Sequence, residues 1–342
     1  MRRIGLGVCG VDRRTVLAAG IAGLIGLGGC AGGGGSNGGG STGAEATARG
    51  GGSQRASQPG EVEVLNWNIR FGTADDGENS WPARADRVSA VVVGPEGTPG
   101  EPQWDLVGLQ EALRFQVDQL LAAAPGYAYA GAGRDDGEDA GEHVGVLYRS
   151  DRFELADSGR FWLSDTPRVA GSTSWGNEIT RMVYWARLID LSTGEGVYAY
   201  VVHLDHRSER SRREAAELIA FRIDAREHPD EPVVLLADLN AAPDALERRY
   251  LRGEASDATG DGIAPRSPMF VDAAASVDPD GVAGGTFNGW LGGLKSGPEI
   301  DAIYVSPDVE VLDAVVDRAM GLSEDGRPAS DHHPVVARLR ID

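Results

Sequence analysis

Five short β-rich runs in this chain end abruptly in side chains able to bind a metal or a phosphate, and any fold it adopts must dispose of those ends. The runs are VEVLNWNIR with Asn66 and Asn68, DLVGLQEAL with Gln110 and Glu111, YAYVVHLDHR with His203, Asp205 and His206, PVVLLADLNA with Asp238 and Asn240, and EIDAIYVS with Asp301. Between some of them, residues 84–93, 115–123 and 208–226 carry apolar side chains at three- and four-residue spacing, the period of a helix with one buried face. Strands alternating with helices make an α/β layered fold, and such folds gather their sites at strand ends. From residue 143 to 202 strand-like segments follow one another without a helix, which predicts antiparallel hairpins and hence mixed sheets.

Taken singly, each polar strand end has an ordinary explanation as a turn or helix cap. Their number argues for more. Four of the six histidines, His203, His206, His332 and His333, fall in two short clusters that also carry aspartate, Asp205 in one and Asp331 in the other.

The N-terminus reads as an address. Arg13 and Arg14 precede the apolar run 16–29, which is short and glycine-rich for a membrane span and looks like a twin-arginine export signal. The run stops at Leu27-Gly28-Gly29-Cys30, similar to a lipobox, so cleavage is expected to leave Cys30 lipidated at the outer face of the membrane. Cys9 would leave with the signal, and Cys30 then has no disulfide partner. Residues 31–60 are rich in Gly and Ser with few aliphatic side chains and are expected to form a flexible tether, with 61–342 as one globular domain.

Charge narrows the partners. The formal net charge is −20, and without the first thirty residues the chain has 28 basic and 51 acidic residues, or −23. Such a surface repels phosphate polymers at low salt. Lys295 is the one lysine; this bias suits a high-salt habitat, and GC-rich coding would produce it equally well.

In order, NWNIR, LQEA, HLDH, ADLNA, EIDAIYVS and SDHHPV resemble the motif series of the endonuclease/exonuclease/phosphatase superfamily, with its DNase I-like fold. The resemblance spans essentially all of 61–342, and WPAR at 81–84, FWLSDTP at 161–167, Ser174-Trp175 and YWARL at 184–188 are similar to its exported bacterial and archaeal branch. It implies a four-layer α/β (α+β) sandwich, two packed mixed β-sheets flanked by helices, with a site at one edge. Two positions depart from the pattern. Ala237 stands where glycine is usual before the aspartate, and GNEITRM replaces a proline-arginine approach to the WARL strand.

Phosphoester hydrolysis needs charge neutralised on the phosphoryl oxygens, an aligned water and help for the leaving oxygen. The chain offers hard oxygen ligands with no HExxH or cysteine cluster, a set suited to Mg²⁺ or Mn²⁺, with Ca²⁺ also admissible. The resemblance implies Glu111 as principal metal ligand, helped by Asn68, with Asp331 in or near the shell. Asp238 and Asn240, two apart on one strand end, would face the same side, one activating water and the other donating to a phosphoryl oxygen. His203 would stand over the scissile phosphate or leaving oxygen. His332 would hydrogen-bond the phosphate, with Asp301 fixing its tautomer. Glu142 is a candidate to orient His203, or simply part of the solvated acidic loop RDDGEDAGE. His333, on the other face, is expected as a spectator near the rim, and Asp205 and His206 as shapers of the loop after His203. Arg70 and Arg181 are candidate phosphate contacts, and with Arg134 and Arg207 they offer enough local charge for one or two phosphates.

The expected function is a monomeric, exported, membrane-tethered, divalent-metal-dependent phosphoester hydrolase for a small or head-group phosphoester. The alternatives are an extracellular nuclease of the same superfamily and a non-catalytic binding lipoprotein that keeps the fold.

Overall fold

The computed structural model describes residues 60–93, 104–260, 269–278, 285–291 and 297–341. The expected signal segment, the tether as far as residue 59, and Cys30 lie outside the described residues. In chain order the elements are β1 (Glu61–Asn68), α1 (Trp81–Val93), β2 (Leu106–Ala112), α2 (Arg114–Ala123), β3 (Tyr127–Gly133), β4 (His143–Arg149), β5 (Phe153–Trp162), β6 (Met182–Asp190), β7 (Gly196–His203), α3 (Glu209–Asp224), β8 (Val233–Asp238), α4 (Leu246–Leu251), β9 (Val271–Asp272), α5 (Ala273–Val277), β10 (Asp301–Val305), β11 (Glu310–Val316) and β12 (Val335–Arg340).

The strands form two six-stranded sheets, ordered β11-β12-β1-β2-β4-β3 and β5-β6-β7-β8-β10-β9. Both are mixed: β1 runs parallel to β2, β7 parallel to β8, and the other pairs are antiparallel. Each central strand is apolar on both faces because each has two cores to fill. Val64, Leu106, Val146, Ala199, Val201 and Leu236 belong to the core between the sheets. Leu65, Val107 and Leu109 pack outward with Val88, Val92, Val117 and Leu120 of α1 and α2. On the second sheet, Tyr200, Val202 and Leu235 pack outward with Ala216, Ile219 and Ile223 of α3. The result is the four-layer sandwich expected.

One local expectation fails. β5, β6 and β7 form the predicted antiparallel hairpins, but β4 and β5 do not pair, since they belong to different sheets. The chain crosses at Arg152, whose guanidinium bonds Asp190 (2.7 Å) and Asp105 (2.7 Å) across the two sheets. This buried Arg with two carboxylates makes the short connection a sheet-to-sheet corner, and the pattern of apolar residues on either side carries no trace of it.

Topology then fixes where the site lies. The parallel pairs bring the C-terminal ends of β1 and β2, and of β7 and β8, to one edge. Strands antiparallel to them start there: Asp301 pairs with Asp238, and Val335 pairs with Asn66. Polar residues from six separate strand ends are thereby gathered at one rim of the sandwich.

Candidate active site

Asn68 is the hub of the first half. Its side-chain amide donates to Glu111 Oε1 (3.1 Å) and Asp238 Oδ2 (2.9 Å), while its Oδ1 accepts from the Arg70 amide (3.0 Å). Asn68 thus ties an acid of the first sheet to an acid of the second. Glu111 adopts a left-handed backbone (φ 60°), which breaks the pairing of β2 with β4 and turns its carboxylate toward Asn68. Asp331 lies just before β12, where Arg70 Nε stands 3.8 Å from its Oδ2 and Arg70 Nη1 stands 3.9 Å from Glu111 Oε2. Arg70 spends its hydrogen bonds on Asp76 instead (3.0 and 3.1 Å).

The second half is built on two histidines of opposite character. His332 Nδ1 lies 2.8 Å from Asp301 Oδ2, the acid–histidine pair anticipated from the sequence. Burial disfavours a charged His332, but Asp301, through its charge and its hydrogen bond, overcomes that and holds the imidazole well above its ordinary pKa. His332 is therefore cationic, and its Nε2 faces Asp238 Oδ2 at 4.0 Å. His203 Nε2 lies 3.3 Å from the same oxygen, yet burial, reinforced by Arg181 and Arg134, pushes its pKa well down. His203 is neutral. Asp238 itself is pushed up to about 7, first by burial and then by Asp301.

The residues present suit a divalent cation. Ligand atoms of Glu111, Glu142 and His203 lie within 4.8 Å of one another, as do those of Asp238, Asp301 and His332. Burial, with Glu111 next, raises Glu142 to about 7; Asp331 is also raised by burial, with Glu111 adding to the shift. Carboxylates crowded until they resist ionising form a site that a hard cation would relieve.

Several expected roles change. Asn240 does not share the strand end with Asp238: β8 stops at Asp238, and Asn240 turns left-handed (φ 46°). Its amide donates to Asp238 Oδ1 (3.1 Å) and its Nδ2 to Leu204 O (3.0 Å), so Asn240 braces the ends of β7 and β8 and keeps one side-chain hydrogen for a ligand. Glu142 is turned inward, but its carboxylate is gripped by Arg134 (2.6 and 2.7 Å) and not by His203. His333 is no rim residue. It is 2% exposed, and its backbone amide donates to Thr286 O (2.6 Å). Asp205 does shape its loop, accepting from the amides of Arg207 and Ser208 (2.9 and 2.7 Å) ahead of α3. His206 Nδ1 meets Arg181 Nη2 at 3.2 Å. Arg207 is exposed beside Glu178 and holds nothing in the site.

Arg181 fits a substrate anion best among the four arginines. It is 3% exposed, and its Nε and Nη1 make no hydrogen bond; Asp205 Oδ2 is no nearer than 3.8 Å. With Arg134, Glu142 and His203 it lines a small cavity at the site. A buried guanidinium with two unbonded nitrogens is costly unless an anion or water occupies them.

The segment 285–291 went unrecognised in the sequence. Thr286 Oγ1 accepts from the Ile300 and Asp301 amides (3.0 Å each), Phe287 sets its ring edge on His332 (5.1 Å), and Asn288 bonds the Asp331 and Ser330 carbonyls (2.7 and 3.0 Å). TFNGW has no period and no titratable group, so nothing in it signalled a site. Among the described residues the non-glycine left-handed positions are Arg70, Glu111, Trp175, Asn240 and Trp290. Three of them carry or brace site groups, and strain of this kind collects where function holds it.

Residues 65–332 match the endonuclease/exonuclease/phosphatase family. The chain belongs to that family. No curated protein matches it in sequence. An endonuclease/exonuclease/phosphatase protein from Bacteroides vulgatus is similar at 28% identity and TM-score 0.70, covering 82% of this chain and 99% of its own. A mannosyl-6-phosphatase from Bacteroides thetaiotaomicron is similar at 26% identity and TM-score 0.67, covering 81% and 99%. The human nocturnin catalytic domain with bound sulfate shares the fold at 16% identity and TM-score 0.61, covering 82% and 95%. Ala237, where the sequence departs from the family's pattern, packs into the outer core of the second sheet.

Proposed function

We propose that this member of the family is an exported, lipid-anchored, divalent-metal-dependent hydrolase of a small or head-group phosphoester. One observation carries the reading. His332 Nε2 and His203 Nε2 both face Asp238 Oδ2, and the unbonded nitrogens of buried Arg181 line the cavity that His203 also lines, an arrangement suited to one phosphoryl group with charge to neutralise on several oxygens.

A Mg²⁺ or Mn²⁺ ion held by Glu111, Asn68 and Asp331 would offset the charge on the phosphoryl oxygens. The remaining steps fall to the chain's own groups. His332 donates from Nε2 to a phosphoryl oxygen while Asp301 keeps its Nδ1 proton in place. Asp238, with an affinity for protons near neutrality, orients the attacking water and takes its proton as the ester P–O bond breaks, and the departing alkoxide oxygen is protonated from solvent. Neutral His203 and Arg181 bracket the remaining oxygens, and Asn240 steadies Asp238.

Substrate size follows from charge. The chain carries −20 with a single lysine, a balance that disfavours the long-range attraction by which polymeric nucleic acid is drawn in. The mannosyl-6-phosphatase among its structural relatives supports a phosphomonoester of sugar size. Phosphate release from sugar phosphates and small diesters, set beside plasmid nicking at low and multimolar salt with Mg²⁺, tests the assignment. Small-ester turnover is expected. Efficient plasmid cleavage at both salts without small-ester activity would make the enzyme a nuclease. The anchor on Cys30 is checked by detergent-phase partitioning, which Cys30→Ser should abolish.

A further inference from the structure

We propose that Arg84 is a positioning residue for this hydrolysis. One guanidinium joins the segment that follows Asn68 to the turn that carries Asp331 and His332. The proposal rests on the hydrolase reading for its kinetic consequences, although the clamp itself is visible in the geometry.

Arg84 projects from the first turn of α1 and is 1% exposed. It forms no ion pair among the described residues. Its hydrogen bonds go to four main-chain carbonyls: Nη1 to Ile69 O (2.5 Å) and Ala329 O (3.2 Å), Nη2 to Arg70 O (2.8 Å), and Nε to Asn79 O (3.0 Å). Ile69 and Arg70 follow Asn68 directly, and Ala329 stands two residues before Asp331. The two segments are more than two hundred residues apart in sequence, and Ser330 Oγ adds a bond to Asn68 O (2.7 Å) at the same seam.

Two indoles close the clamp. The guanidinium carbon lies 4.9 Å from the Trp81 ring and 5.4 Å from the Trp290 ring, so the segment 285–291 is tied in as well. Between aromatic faces, with carbonyl dipoles in place of water, the guanidinium's rigid fork fixes three segments at once. An ammonium offers a point charge with no such fork. Arg70, left-handed at φ 58°, turns its carbonyl into the clamp, which gives its strained backbone a purpose. Asn68 and Asp331 must hold their separation for the site to work, and a misplacement of 1 Å costs about 10²-fold in rate.

Arg84→Ala and Arg84→Lys should both lower kcat by about 10²-fold, with KM changed far less. Guanidinium at non-denaturing concentration should partly restore Arg84→Ala, and equal ammonium or sodium chloride should not. Hydrogen exchange should quicken together in peptides covering 69–79 and 329–333 of Arg84→Lys. Turnover matching the wild type in either variant overturns the proposal. So does a loss that follows the folded fraction alone and that guanidinium leaves unchanged. If Arg84→Ala does not fold, kinetics and exchange in Arg84→Lys decide, and unchanged exchange in both segments refutes the clamp. An inactive wild type would defeat the hydrolase reading instead, leaving the exchange result to judge Arg84.

Discussion

At the scale of single residues, adjacent histidines with similar burial do different work because their neighbours differ. His332 has Asp301 at 2.8 Å and is held cationic, whereas His333 is buried and its backbone amide bonds Thr286 O of the segment 285–291. His332→Ala should lower turnover by about 10²–10⁴, the usual scale for a positioned acid–base group. His333→Ala should instead lower the melting temperature, leaving the folded enzyme's turnover close to normal, because it removes a buried side chain and no group expected to meet the substrate. Steady-state kinetics on both variants, corrected for folded fraction, separates the roles; equal losses in turnover would show the pair wrongly assigned. The Asp301–His332 pair was legible through the resemblance of EIDAIYVS and SDHHPV to the family's motifs. His333 was not, because its partner in space is an aperiodic loop some forty residues away.

At the scale of elements, the two sheets meet beneath the site through polar side chains that the sequence had marked only as polar strand ends. Asn66 Nδ2 donates to Ala237 O (3.0 Å) and Ala302 O (3.2 Å), and Gln110 Nε2 donates to Asn66 Oδ1 (2.8 Å) and Leu236 O (3.3 Å). Gly108 permits the close approach, since a Cβ there would meet Leu236 Cβ at 2.6 Å. Asn66→Ala should strand buried carbonyls at about 1–3 kcal/mol each. Denaturant unfolding should show a lower midpoint at unchanged slope, and an unshifted midpoint would mean the bridge contributes nothing. Strands and long helices were readable because burial on one or both faces imposes a period: α1, α2 and α3 lie within three residues of their expected ends. The β4–β5 crossing was not, since Arg152 is held by Asp105 and Asp190, both distant in sequence; the left-handed turn at Asn240 is local, closed by Asp238 Oδ1, and is the ordinary turn any polar strand end can make. Neither changes the local apolar pattern.

At the scale of the whole molecule, the site concentrates acids that the fold holds reluctantly. Asp238 and Glu142 bind protons more tightly folded than unfolded, each raised to about 7 chiefly by burial. A raised folded pKa stabilises at low pH and loses that stability as pH rises through the folded value. His332, raised by Asp301, acts in the same sense, while His203, depressed by burial, opposes it only below the ordinary histidine range. The metal-free protein should therefore melt lower as pH rises from about 6.5 to about 8. Saturating Mg²⁺ should flatten that slope by stabilising the ionised acids, and a melting temperature that climbs with pH over this window would contradict these charge states. The central claim is that these groups, loaded with a divalent ion, hydrolyse a phosphoester. Phosphate release by the wild type with Mg²⁺ or Mn²⁺, by the exhaustively chelated protein and by Glu111→Gln measures it directly. Turnover should be strong in the first and largely lost in the other two, with circular dichroism of Glu111→Gln unchanged; undiminished turnover after chelation would contradict that claim.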